Sequence, residues 1–236
     1  MNNRGILYLV GTPIGNLGDA SARAIETLKS VDLIACEDTR RTGQLLAHFQ
    51  IRKAMASLHE HNERARTPGL IERMRAGESV AVVSDGGTPL MNDPGWWLVH
   101  QAIAAEIPVS WIPGPTALIG ALVLSGLPAD RFVYEGFLPA KPGARRKRLE
   151  ALKGEERTVV LYESPHRLLR TLADMCEILG ERPMAVAREL TKKFEEVRRG
   201  TPSQLLAHFK QHEPRGEFVL AVGYRKGSND NEATSA

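Results

Sequence analysis

Short apolar runs separated by stretches of helical period constrain the fold more than any other feature. The runs are ILYLV (6–10), DLIA (32–35), SVAVVS (79–84), VSWI (109–112), FVY (132–134), TVVLYE (158–163), MAVA (184–187) and FVLAVG (218–223), most with a glycine- or proline-rich exit. Their length and their content of valine, isoleucine and aromatics are those of strands. Helices are predicted over 19–30 behind Asp19 as N-cap, over 39–49 behind Asp38, over 94–106 behind Asp93 and Pro94, and over 115–125 closed by Gly126. Pro68 interrupts the pattern at 62–76 and predicts a shorter helix there with an irregular start. Strand alternating with helix predicts parallel-rich sheets covered by helices, an α/β fold.

A chain of 236 residues has room for two such units. The boundary is placed within 113–131, where helix runs into loop, giving α/β domains over 1–115 and 116–225 and a disordered polar tail, KGSNDNEATSA, over 226–236. No apolar run approaches the ~18 residues of a membrane span. The N-terminal stretch MNNRGILYLVGTP is too short for a secretion signal and offers no small-residue cleavage site, so a cytoplasmic protein is expected. Cys36 and Cys176 belong to no CxxC pair and read as buried thiols. A net charge of +3 allows a polyanionic partner without demanding one.

Three strand exits share an unusual chemistry: VGTPIGNLGD (10–19), SDGGTPLMNDPG (84–95) and IPGPTALIG (112–120). Exits at the carboxyl ends of strands form the edge where α/β sheets bind ligands, and glycine lets a ligand approach the backbone. Neither GxGxxG nor GxxxxGK[ST] occurs, and Pro13, Pro89 and Pro113 remove amides that a phosphate cradle would use. The expected ligand is therefore small and gripped by backbone and shape, with Asp85, Thr88, Asn92, Asp93 and Thr116 as polar handles. One such loop alone would signify only a turn and a helix cap; three together outweigh that.

The stretches LYLVGTPIGNLGD, DLIACEDTRRT, LHEHNE, VSDGGTPLMNDPG, PGPTA, GLPADRFVYEGFLPAK, YESPHR and ARELTKKFEE occur in this order between residues 6 and 224. In them the chain resembles the ribosomal RNA small subunit methyltransferase I family, within the tetrapyrrole-methylase-like class of S-adenosylmethionine enzymes. The resemblance implies two α/β domains with the methyl donor in the cleft between them. It implies that Gly87, Thr88 and Met91 lie against the methionine part of the donor, and that Thr116 and Ala117 line the same pocket; Pro13 and Asp85 are counted with them. From the second domain it implies contacts by Tyr162, Glu163, Glu189 and Leu190. The family commonly has alanine at the position of Gly86, and many relatives continue beyond Tyr224 into a small helical extension whose RNA contacts are expected to be missing here.

The reaction so implied moves a methyl group to the 2′-hydroxyl of a cytidine in 16S ribosomal RNA of the small subunit. A ribose hydroxyl is a poor nucleophile, so alignment and a base are needed, and neither metal nor covalent intermediate is expected. Glu37, Asp38 and Glu60 are the candidates for accepting the proton or positioning the ribose, and the sequence leaves the choice open. Arg40, Arg188 and Lys192 are candidate phosphate contacts, with the run Lys141, Arg145, Arg146, Lys147 and Arg148 on a flexible-looking segment. Glu150, Glu155 and Glu156 offset that run, which also reads as a solvated helix face. His59 and His61 lack the spacing of HExxH, and Asp38 also reads as a helix cap. Trp96 and Trp97 sit in an apolar helix pattern, and at least one reads as a core or dimer contact; the class implies a homodimer. Two other readings stand beside this one: a methyltransferase of the same class acting on a corrinoid or porphyrin precursor, and a catalytically silent RNA-binding module.

Overall fold

The structure, a computed structural model, describes residues 4–224. The chain divides into two compact units, Met1–Thr116 and Ala117–Ala236. The tail expected over 226–236 lies outside the described residues.

In the first unit the elements run β1 (Leu7–Val10), α1 (Ala22–Ser30), β2 (Leu33–Cys36), α2 (Thr39–His48), β3 (Ala54–Ser57), α3 (Glu63–Arg75), β4 (Val80–Val83), α4 (Trp96–Ala104) and β5 (Val109–Ile112). The strands make one sheet in the order β3-β2-β4-β1-β5, with every pairing parallel. A parallel sheet needs cover on both faces, and β2 and β4 are buried at every residue. Alternate side chains go to opposite layers. Leu33, Ala35, Val80 and Val82 join Leu70, Met74 and Leu98 of α3 and α4, while Ile34, Cys36, Ala81 and Val83 join Ala24, Leu28 and Leu46 of α1 and α2.

The second unit begins with α5 (Ala117–Ser125) and continues β6 (Phe132–Phe137), α6 (Pro142–Leu152), β7 (Thr158–Glu163), α7 (Leu168–Leu179), β8 (Met184–Arg188), β9 (Glu196–Gly200), α8 (Pro202–Gln211) and β10 (Phe218–Val222). Its sheet is mixed rather than parallel-rich: in the order β6-β7-β10-β8-β9 only β6 and β7 run parallel, and the other pairings are antiparallel. The cause is the return from α8, which sends β10 back between β7 and β8. One face packs Val159, Leu161, Val186, Phe218 and Leu220 against Leu149, Leu172, Met175 and Phe209 of α6, α7 and α8. The other face presents Ala185, Ala187 and Ala221, small enough for the apolar α5 to lie across β7, β8, β9 and β10.

Several local expectations are corrected. Ser21, not Asp19, caps α1, its hydroxyl accepting from Ala24 N; Asp19 ends a short 3-10 turn. The helix predicted over 94–106 starts only at Trp96, behind Gly95 at φ +124°. Pro68 does not shorten α3. It sits in the second turn, the helix runs Glu63–Arg75 through it, and one buried face (Thr67, Leu70, Ile71, Met74) offsets the lost hydrogen bond. The segment around 141–148 is the start of α6 rather than a flexible stretch. Cys36 is buried, but Cys176 is only partly so. Strands β3 and β9 were missing from the sequence reading; both are edge strands with half-exposed, partly polar residues.

Candidate functional site

All strands of the first sheet point the same way, so the exits of β1, β2, β4 and β5 share one edge. Those of β1, β4 and β5 are joined backbone to backbone. Thr12, only 2% exposed, exchanges two 2.9 Å hydrogen bonds with Gly87, its N–H donating to Gly87 O and accepting through its own O from Gly87 N. Gly11 and Gly114 pack so closely that a Cβ on Gly11 would stand 2.6 Å from Gly114 N. The Thr88 and Thr116 hydroxyls meet at 2.7 Å. The loop after β4 holds non-glycine residues in left-handed conformations, Leu90 at φ +73° and Asn92 at φ +71°, alongside Gly87 at φ +91° and Gly95. Such strain persists only where surroundings fix it. Part of the fixing comes from Glu63 on α3, whose Oε1 accepts from Gly95, Trp97 and Leu98 N at 2.8–3.3 Å and anchors the start of α4.

The side chains at this edge are acidic. Asp85 accepts from Asp38 N at 3.2 Å and pairs with Arg41 at 3.3 Å. Burial, then the charges of Glu37 and Asp85, push Asp93 up to about 6, against a hydrogen bond from Ser84. Burial, followed by Asp85 and Glu60, also raises Glu37, with Arg41 and His59 partly opposing. Asp38 behaves oppositely: hydrogen bonds from the Arg40 guanidinium and amide hold its carboxyl far below the usual range. As the cap of α2 and partner of Arg40, Asp38 is unsuited to accept a proton. Glu60 is exposed and lies 3.4 Å from His61.

A cationic ligand fits this edge. Glu37, Asp85 and Asp93 give this edge a negative field, and Gly86 and Gly87 let the loop close against Pro13 and Ile14, whose atoms would stand 3.2 and 3.3 Å from an added Cβ. Pro13 belongs to the same surface, its carbonyl 3.2 Å from where a Gly86 Cβ would be. Sequence reasoning missed Gly11, Thr12, Gly114, Glu63 and Arg41 as builders of the edge. The glycine pair was visible in GTP and PGP; Glu63 carried no local signal.

In the second unit, the ends of β6, β7 and β8 and the start of β10 share an edge. Tyr162 is half-buried and packs edge-on against Tyr134. Glu163 is corrected as a donor contact: it is 2% exposed, and its oxygens accept from Ser164 N at 2.8 Å and Thr171 Oγ1 at 2.5 Å, with Arg167 at 3.3 Å. Glu189 and Thr191 are left-handed (φ +49° and +66°) on either side of buried Leu190. Burial opposes ionisation of Glu189, but Lys192 and the Glu217 amide outweigh it and hold the carboxyl below its ordinary range. Ala117 opens α5.

Most of the predicted phosphate contacts are already paired. Arg145 is corrected: it is 4% exposed and bonds Asp174 of α7 at 2.7 Å. Arg146 joins Asp174 and Glu177, and Arg148 grips Glu135, the extra residue of a bulge in β6. Arg188 pairs with Glu196 at 2.7 Å, Lys192 with Glu189 and Glu217, and Arg40 with Asp38. Lys141 and Lys147 are exposed and have no ion pair among the described residues.

The family Tetrapyrrole (Corrin/Porphyrin) Methylases matches residues 6–206. A Synechocystis sp. protein named ribosomal RNA small subunit methyltransferase I is 55% identical over 219 residues, 92% of this chain and 78% of its own. A protein of the same name from Escherichia coli O157:H7 is 50% identical over 233 residues, 98% and 82% of the two chains. Among solved structures, uroporphyrin-III-C-methyltransferase from Thermus thermophilus is similar with a TM-score of 0.65 and 25% identity, covering 93% of this chain and 94% of that one.

Proposed function

The chain belongs to the tetrapyrrole (corrin/porphyrin) methylase family and is a methyltransferase that uses S-adenosylmethionine, and we propose that its acceptor is ribosomal RNA of the small subunit, at the 2′-hydroxyl of a cytidine. The observation that carries the acceptor is identity of 50–55% over nearly the whole chain to proteins named for that substrate.

In this reading Gly87, Thr88, Met91, Thr116 and Pro13 hold the donor chiefly through main chain and shape, and Asp85 and Asp93 complement its positive charge. The donor supplies an electrophilic methyl group that needs no further activation. What remains for the protein is to align the ribose hydroxyl and take its proton. Glu37 is the carboxylate suited to that task, because burial and its acidic neighbours raise its proton affinity while Arg40 depresses that of Asp38. Within the second unit, Glu189 holds the 189–191 turn in place beside Leu190.

A homodimer is supported by the exposed apolar residues of the first unit, Trp96, Ile103 and Trp111, on α4 and the edge strand β5. No helix among the described residues is long and apolar enough to cross a membrane. In this reading the protein works in the cytoplasm, where its ribosomal RNA acceptor is. The test is incubation with radiolabelled donor and small ribosomal subunits lacking the modification, followed by mapping of the label. Label on one cytidine ribose is expected; label on a base, or none, overturns the acceptor. Glu37→Gln is expected to lower kcat by about 100-fold, with a much smaller loss of donor affinity from the missing negative charge.

A further inference from the structure

We propose that Phe137 and Phe194, with Lys141 and Lys193, form a stacking and phosphate-binding strip for single-stranded RNA along the strand-end edge of the second unit. The inference rests on the acceptor proposed above and adds to it the residues that would receive the nucleic acid.

All four residues are exposed at this edge. Phe137 ends β6 and is 50% exposed; Phe194, in the turn between β8 and β9, is 66% exposed. Neither is shielded as a core residue would be, although Phe137 rests against Tyr162 with ring centres 5.6 Å apart and so is held in orientation. The Lys193 ammonium lies over the Phe194 ring at 5.7 Å. The other cations here are spent internally: Arg188 on Glu196, Lys192 on Glu189 and Glu217, Arg167 on Glu163 and the Leu138 carbonyl, Arg215 on Glu213. Lys141 and Lys193 are exposed and without a carboxylate partner among the described residues.

Topology fixes their spacing. Strands β7 and β10 lie between β6 and β8, so the two phenylalanine-bearing exits stand three strand intervals, roughly 14 Å, apart. Single-stranded RNA is recognised by such an arrangement, with bases splayed onto aromatic rings and the backbone tracked by cations. A duplex offers its bases to no such ring. The rigidity of the turn carrying Phe194 follows from the left-handed Glu189 and Thr191 and from the bond of Thr191 N to Glu195 at 2.6 Å.

The experiment uses the full chain, a fluorescein-labelled single-stranded RNA of about twelve nucleotides read by anisotropy, and calorimetric titration of the donor. Phe194→Ala and Phe137→Ala are each expected to weaken RNA binding about tenfold, with Phe194→Tyr retaining it. Lys193→Glu is expected to weaken binding and to flatten its salt dependence by about 0.7 in the log–log slope. Donor affinity is expected to stay unchanged in all four variants. RNA affinity that survives both alanine variants overturns the proposal, as does a loss of donor affinity in step with it. The readout needs no methyl transfer: a wild-type protein that binds RNA through these rings yet labels no small subunit would refute the acceptor and leave the strip standing.

Discussion

The two strand-end edges are built on opposite principles. In the first unit the exits of β1, β4 and β5 are fastened by main chain, with Thr12 bonded to Gly87 and Gly11 set against Gly114, and the side chains left over are carboxylates that repel one another. In the second unit the exits are fastened by side chains. Glu163 gathers Ser164, Thr171 and Arg167, Glu189 gathers Lys192 and Glu217, and Arg145 is sunk against Asp174. An edge fastened by backbone can leave acids such as Glu37 and Asp93 with no ion pair among the described residues, for a cation to meet; an edge fastened by ion pairs has most of its charges occupied. Negative field belongs to the first and anchoring to the second.

The largest effect is expected where a single side chain does most of the fastening. Arg145→Ala leaves Asp174 buried with only Arg146 to answer it, and should cost the second unit about 3–5 kcal/mol. Urea unfolding followed by hydrogen exchange at amides of α6 and α7 would register it. A loss below 1 kcal/mol would mean that the pair is not what joins these helices.

The same substitution shows how much of the molecule was legible beforehand. Arg145, Leu149 and Leu152 are the inward stripe of α6, at helical spacing. Taken by composition, the run looked like a phosphate patch; taken by period, it contains one inward-facing arginine. The central strands could be read because each is buried on both faces and therefore largely apolar, as in VAVV and the VVL of TVVLYE. Edge strands such as AMAS and EVRRG face water on one side and carry no such signal. The glycine-bearing exits of the first unit were legible because backbone contact demands glycine. Glu163 was misjudged because nothing local tells a carboxylate that meets a ligand from one that fastens a neighbouring helix.

Backbone fastening is tested next. Gly114→Ala places a methyl group 2.7–2.9 Å from main-chain atoms of Gly11, which cannot swing aside as a side chain would. The expected loss is about 2–3 kcal/mol, with donor affinity falling too because the β1 and β5 exits must part. Normal thermal stability in this variant would show that the contact yields. A smaller cost, about 1–2 kcal/mol, is expected for Glu63→Ala, which orphans three amides at the start of α4, and less for Glu63→Gln, which keeps an acceptor oxygen.

The smallest effect tests the acidity of the first edge. Asp93 is raised to about 6 from 3.8, so the folded chain keeps a proton that the unfolded chain has already released. Stability from this group is full below pH ~4 and is lost as pH rises to ~6, the reverse of a salt-bridged carboxylate. Asp93→Asn removes that loss, and after discount for its partial exposure should stabilise the first unit by about 1 kcal/mol at pH 8 and by almost nothing at pH 4. Donor affinity should move the other way. Protonation of Asp93 below about pH 6 removes a negative charge and weakens the hold on a cationic donor, so the wild type should bind it less tightly as pH falls through 6, and the variant should lose most of that dependence. Calorimetric titrations at pH 5 and pH 8 decide it: a variant that is less stable at pH 8, or that keeps the wild-type pH response, would remove Asp93 from the field that the acidic edge presents.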